Sequence, residues 1–490
     1  MASNYHESVY TRSINELIRN VENPSSQDVN LVRDAKHYFE SYAVKQQQLQ
    51  TLEQKKEDIQ ESLAAASSSQ QSKLKNALQQ TNTEISQFHQ EQTQARLARL
   101  SRAIQVCEMV LELSEGVDEP ETLVKSARFL GTCLLLSSGT GKRLPELHQR
   151  LKPAYKTVLS LRLLDALMLQ GKVKHKYLIN HYDDQMRFKA EDSAEIKRTL
   201  LYPIMFAALF QDIGMQHPDA QMILRGPDGD LDPFRVLDIP ERKQMLKITF
   251  QQTIDYLKNG LGISEYWGNS RDERDLIEQQ NSAALSFCLS ILRDTIKPLN
   301  GLGEIIKVPQ IYASVVLSTK RNYCISDLPK ACTLIERMAE KGSINQLVLK
   351  QFVALVGHFP QGFGIAYIPN CEHSSNLDRY EYAIVNKLKP DHLYEPMCRT
   401  VTRNLTFVSS GQNSIVQRSQ NMYFESVRQQ MAKVGDSKLK QILEKLQHNF
   451  EAQSSEAIIP DCWQPHDFFQ KKEHQNLWNK AVSVILEQED

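Results

Sequence analysis

Between Val44 and Gln94 the chain is built mostly from Gln, Lys, Glu, Ser and Ala, and its few large apolar residues stand at helical spacing. Leu49, Leu52, Ile59 and Leu63 are separated by three, seven and four positions, which fits an a/d seam with one polar skip at Lys56. After Ala64-Ala65-Ala66-Ser67-Ser68-Ser69 a second seam follows, formed by Leu74, Leu78, Thr81, Ile85 and Phe88. So polar a stretch has no core of its own, and the seam has to lean on another helix. The Ala/Ser run is either a turn that folds the stretch into an antiparallel hairpin or the weak part of one long helix. A coiled-coil or dimerising segment and a packed helical arm both suit this pattern.

The rest of the chain extends the helical reading. Residues 1–40 read as two short helices around the breaker Asn23-Pro24-Ser25-Ser26. From Leu100 to about Arg198 apolar positions such as Val106, Met109, Val110, Leu113, Leu134, Leu135, Leu136, Leu159, Leu161, Leu163 and Leu164 describe a helical bundle. Gly139-Thr140-Gly141-Lys142 resembles the end of a phosphate loop, but the earlier glycine of that motif is Leu136 and Arg143 follows the lysine, so an inter-helix turn fits better. From Gly364 the period changes to alternation, in Ile365–Ile368, Tyr382–Val385, Thr400–Arg403 and Leu405–Val408, and a small β meander is expected. A helix over residues 424–450 and another from Trp478 to Leu486 complete the reading, with the Trp463 tail packing back on its parent domain.

Composition narrows the function classes. The 490 residues carry 58 basic and 59 acidic side chains, a net charge of -1, which speaks against a broad grip on nucleic acid or anionic membrane. No apolar run approaches the ~20 residues of a membrane span, and MASNYHESVY has neither the basic head nor the apolar stretch of a secretion signal. The eight cysteines form no Cys-x-x-Cys pair and read as reduced thiols in a cytoplasm.

Four short segments then occur in a telling order. The first is Ala207-Ala208-Leu209-Phe210-Gln211-Asp212-Ile213-Gly214-Met215, with Pro218-Asp219 and Met222-Ile223-Leu224 behind it. Next come Leu237-Asp238-Ile239-Pro240-Glu241 with Met245-Leu246-Lys247, then Arg321-Asn322-Tyr323, and last Gly357-His358-Phe359-Pro360-Gln361-Gly362. Together they resemble the HD-GYP family of helical HD phosphohydrolases, which writes A-A-L-L-H-D-I-G-K, L-T-P-E-E with M-K-x-H, R-P-Y and G-x-Y-P-P-G. The resemblance runs from Ala207 to Gly362, about a third of the chain, and implies an all-helical domain that passes into short strands.

The family's chemistry, as the resemblance implies it, uses two or three iron or manganese ions to cleave cyclic di-GMP, with a metal-bound water as nucleophile. This sequence departs from that ligand set. Gln211 stands where the name-giving histidine would be, and only Asp212 of the pair is kept. Met215 replaces the phosphate-neutralising lysine, Thr249 the histidine of M-K-x-H, Gln280-Asn281-Ser282 the His-His-Glu stretch, and Tyr312 the last metal aspartate. Between His181 and His358 the single histidine is His217, and one imidazole does not make a multinuclear site. Asp212 then reads as a cap or a buried acceptor. His181, beside Asp183 and Asp184, and the second His-Asp pair, His466-Asp467, read as loop and surface segments. Arg321 and Tyr323 suit a nucleotide's phosphate and base, and equally a helix-end arginine over an aromatic.

The expected fold is thus mainly α: a helical arm with a coiled-coil-like segment over 1–110, a helical bundle over 111–195, an HD-GYP-like domain over 196–380, and a small β segment with carboxy-terminal helices over 381–490. The expected function is a catalytically inactive HD-GYP-like protein of bacterial signalling, with no catalytic residue, metal or cofactor. It would act through protein partners or by binding cyclic di-GMP without cleaving it, and a homodimer is one form this could take. Two alternatives stand beside it. A residual phosphodiesterase would draw ligands such as His175 or His181 from upstream, and a pure scaffold would have its former cavity filled by side chains such as Met215 and Tyr312.

Overall fold

The computed structural model describes residues 7–24, 27–137, 143–189, 193–266, 268–299, 301–369, 379–432 and 459–479. The Gly139–Lys142 segment, the part of the 424–450 helix beyond residue 432 and the part of the last helix beyond residue 479 lie outside these residues. What is described is mainly helical with a small antiparallel sheet, as the periodicity predicts. The helices are α1 (Val9–Val21), α2 (Leu31–Ala65), α3 (Ser68–Ser114), α4 (Glu119–Leu136), α5 (Leu144–Leu169), α6 (Lys176–His181), α7 (Ser193–Ile196), α8 (Tyr202–Leu209), α9 (Pro218–Arg225), α10 (Ile239–Asp255), α11 (Arg271–Ile296), α12 (Glu304–Val316), α13 (Lys330–Glu340), α14 (Gln346–Val356), α15 (Glu425–Met431) and α16 (His466–Phe469). None of them is long and apolar enough to cross a membrane. The cysteines among the described residues are all free.

Contacts divide the chain into two compact units, each assembled from separated stretches. The first draws on Met1–Ile18, Glu108–Leu209 and Arg293–Asp490, and the second on Arg19–Cys107 and Phe210–Leu292.

In the second unit the polar stretch resolves the open alternative in favour of a hairpin. Ala66 leaves the helix with an extended backbone, ψ 143°, and α3 starts two residues later. The half-buried Leu49, Leu52, Ile59 and Leu63 of α2 and the seam of α3 line the arm, where Phe88 and Thr81 are buried. Lys55 reaches Glu84 across it at 3.0 Å. At its base Arg102 grips Asp34 with two hydrogen bonds of 2.6 and 2.8 Å. A π-helical turn, Tyr256–Leu261, follows α10, and two arginines of α3 satisfy its trailing carbonyls. Arg96 Nη1 donates to Leu261 O (3.2 Å) and Ile263 O (2.6 Å), and Arg99 Nε donates to Gly260 O (2.9 Å). Tyr38, Phe39 and Phe210 surround the buried Tyr256 ring at centroid distances of 5.4, 5.7 and 5.9 Å.

The first unit is centred on α5, whose stretch from Ala154 to Leu167 is buried on every side. It packs against α4, α8, α12 and α14. Beyond α14 lies a four-stranded antiparallel sheet in the order β1 (Gly364–Tyr367), β2 (Glu381–Val385), β3 (Met397–Thr400) and β6 (Asn413–Ile415), with β4 (Thr402–Arg403) and β5 (Thr406–Phe407) forming a separate pair. The alternating segments thus do form strands, and Met397–Thr400 and Asn413–Ile415 are additional ones. The β4–β5 turn places Asn404 and Leu405 at φ 52° and 59°, a costly conformation for leucine. The buried Glu381 carboxylate holds it, accepting the Asn404 N–H at 2.7 Å and the Leu405 N–H at 3.2 Å. The tail packs back on this sheet. Trp463 bridges to Gly364 on the β1 edge and donates its indole N–H to Ala383 O at 3.1 Å, with Phe468 and Phe469 in the same core.

Candidate functional site

The part of the closest motif match from Phe210 onward lies in the second unit, where a sharp 3-10 turn, Ile213–Gln216, leads from Gln211-Asp212 into α9. Gly214 is what makes the turn possible. A Cβ there would lie 2.1 Å from Thr249 O, so the turn rests directly on the backbone of α10. Two hydrogen bonds fasten it: Gly214 N–H donates to Thr253 Oγ1 (3.0 Å), and that hydroxyl donates to Gln211 O (3.3 Å). Thr249, at the position of the M-K-x-H histidine, is buried in this contact. Met215 packs against the small cluster of Ala220, Leu224 and Met245 with Ile223, Leu237 and Ile248.

The remaining polar positions of the motif are likewise engaged in structure. His217 caps α9, its Nδ1 accepting from Asp219 N–H at 3.2 Å, while its ring meets Phe39 edge-on at 5.4 Å. Asn281 is buried on α11 and donates to Ser264 Oγ (2.9 Å) and Ser264 O (3.3 Å), which ties down the loop after the π turn. Gln280 beside it and Asp212 are half-buried, and the Asp212 carbonyl accepts from Met215 N–H at 3.0 Å. The structure therefore brings Gln211, Asp212, Met215 and Thr249 together around one turn and one helix, while Gln280 and Asn281 sit on another helix of the same unit.

Tyr312, Arg321 and Tyr323 belong to the first unit. Tyr312 is fully buried on α12, edge-on to Phe352 at 5.2 Å. Arg321 is exposed, and the Tyr323 ring lies edge-on to the buried His148 at 4.9 Å, where burial raises its phenol pKa. His181 stacks on Tyr177 at 4.1 Å within its own helix. His466 contacts Gln470 at 2.7 Å, again within one turn.

Several motif matches also have a local physical origin. Asp238 and Glu241 form a capping box on α10, with Glu241 N–H to Asp238 Oδ1 at 2.8 Å, Asp238 N–H to Glu241 Oε2 at 3.1 Å, and Pro240 in the first turn. Gly357 ends α14 at φ 67°, a position that favours glycine. Any helix with these boundary needs would write a similar sequence.

The residues present do not fit the multinuclear metal site that the resemblance implies. Apart from Asp212, amide and hydroxyl side chains stand at the ligand positions, and Tyr312 lies in the other unit. Among the described residues no group of three or more His, Cys, Asp or Glu side chains gathers as a metal site.

The densest electrostatic cluster is elsewhere, in the first unit. Arg162 and Arg187 are buried with Glu115 and Asp165. Arg187 donates to Asp165 Oδ1 (3.0 Å) and to both Glu115 oxygens (2.6 and 3.0 Å). Arg162 meets Glu115 at 2.5 Å and Asp165 at 2.8 Å, and adds a bond to Ser126 Oγ at 3.0 Å. Burial raises the Glu115 pKa, but Arg187 and Arg162 outweigh it and hold the carboxyl at about 2. Sequence reasoning passed over this cluster. Its signal was visible as Arg162 and Asp165, two charges three positions apart inside an otherwise apolar run.

No family model matches this chain, and the comparisons with curated proteins and with solved structures find no match either.

Proposed function

We propose that this chain is a non-catalytic, HD-GYP-like protein of bacterial signalling that works in the cytoplasm through protein–protein contacts. The observation that carries this reading is Gln211 at the turn and Thr249 buried beneath it, an amide and a hydroxyl where the resemblance would place imidazoles. A multinuclear hydrolase needs histidines and carboxylates converging around a gap at this place. Here Gln211 and Thr249 offer an amide and a hydroxyl at two of those positions, and Met215 in an apolar cluster stands at the neighbouring lysine position. The exposed Arg321 keeps open a second mode, in which cyclic di-GMP binds without being cleaved.

Metal content of the purified protein by mass spectrometry, with a calorimetric titration by cyclic di-GMP, tests both. The expected result is neither metal near stoichiometry nor heat of binding. Iron or manganese near stoichiometry would overturn the proposal. Nucleotide binding without metal would replace contact by the receptor mode.

A further inference from the structure

We propose that α9, α10 and the loop between them, in the second unit, form the contact surface for a second copy of this chain in a two-fold arrangement. Five large apolar side chains of this short stretch stay exposed: Val236 (85%), Ile239 (73%), Met222 (61%), Leu246 (59%) and Leu231 (42%). The stretch buries only Ala220, Leu224 and Met245 as an apolar centre of its own. Its loop is nevertheless firmly held. Arg235 donates to Ile223 O (2.8 Å) and to both Glu241 oxygens (2.8 and 2.6 Å), which pins the loop to α9 and α10 at once. Leu231 N–H closes the turn after α9 by donating to Arg225 O at 3.0 Å. Leu246 follows Ile239 by seven positions, so the two share one face of α10. Apolar side chains kept in water by an ordered backbone mark an interaction surface.

Charge selects the occupant. Asp228 and Asp230 are exposed in the loop just beyond α9, and Arg242, Lys243 and Lys247 are exposed along α10. None of the five makes an ion pair among the described residues. The Arg235 clasp sets the end of α9 beside the first turn of α10. The acids therefore lie toward one end of the surface and the lysines one to two helical turns away, with Val236 and Ile239 where loop and helix join. A surface acidic at one end and basic at the other is complementary to itself after half a rotation, which is the requirement of an isologous dimer. The apolar side chains then meet at the centre and the charges form the rim, the usual anatomy of a stable interface. An anionic membrane fits less well, because the acidic end would be repelled.

This dimer is independent of the signalling reading, and the failure of either leaves the other standing. Sedimentation equilibrium of the full chain over a range of concentrations should show monomer and dimer in exchange. A monomer throughout overturns the proposal. Ile239→Asp and Leu246→Asp each put a charge into the apolar centre and should raise the dimer dissociation constant about tenfold or more. Both side chains are exposed in the single chain, so the helical circular dichroism should not change. A dimer indifferent to both substitutions is made elsewhere, such as along the α2–α3 arm, and overturns the proposal. Charge reversal tests the two-fold arrangement itself. Lys243→Asp with Lys247→Asp should weaken the dimer, and adding Asp228→Lys with Asp230→Lys should restore it, because opposite charges then face each other again. Weakening without restoration overturns the arrangement.

Discussion

The turn at Gln211–Gly214 and the cluster of Glu115, Arg162, Asp165 and Arg187 make an instructive pair. The turn matches a family motif most closely, and it is fastened to α10 by the Gly214 N–H bond to Thr253 Oγ1. The cluster matches no motif, yet it sets the buried Arg162, Asp165 and Arg187 and the half-buried Glu115 in balanced, hydrogen-bonded geometry. Motif likeness here reports local helix grammar, while the strongest electrostatics follow from which charges the fold brings together. The two need not coincide, and here they lie in different units.

The largest expected effect sharpens the cluster. Arg187→Met leaves Glu115 and Asp165 short of a buried cation and should cost about 3–5 kcal/mol, the range for breaking a buried pair on one side. Urea unfolding measures it, and a loss under about 1 kcal/mol would show that the cluster is energetically a surface feature.

Acid titration comes next. The folded pKa of Glu115 is depressed to about 2, below the ordinary carboxylate value near 4.5. Its contribution is therefore present in full above that ordinary value and is lost as pH falls from about 4.5 toward 2. The amount is roughly 3 kcal/mol at one unit per 1.36 kcal/mol. Stability curves across this window should steepen in the parent protein and flatten in Arg187→Met.

The turn has its own test. Gly214→Ala drives a methyl into Thr249 O, a backbone atom that cannot rotate away, and should cost about 1–3 kcal/mol. A neutral result would mean that the turn has room above α10. The smallest effect is expected for Met215→Ala, roughly 1 kcal/mol because the side chain is only half-buried. Equality of the last two variants would break the contrast between backbone contact and side-chain packing at this turn.

Much of the local architecture was legible in the sequence. Periodicity predicted the helical class, the two seams of the arm, the change to strands after Gly364 and the packed Trp463 tail. Asp238, Pro240 and Glu241 announced the start of α10. The added strands Met397–Thr400 and Asn413–Ile415 were not legible, because short strands with one or two apolar residues carry little alternation. Of the candidate positions, local sequence gave the residue types but not their partners. Nothing near Asn281 names Ser264, and nothing near Gly214 names Thr249.

By itself, then, the sequence determined what a few neighbouring residues can settle: helix against strand, caps and turns. Tertiary structure decided the rest. It chose the hairpin over one long helix and gathered distant stretches into two units. It also set Arg187 against Glu115, 72 positions earlier in the chain. The physical reason is that periodicity is fixed by backbone geometry within a turn or two, whereas burial and charge pairing are settled by whichever distant surfaces exclude water together.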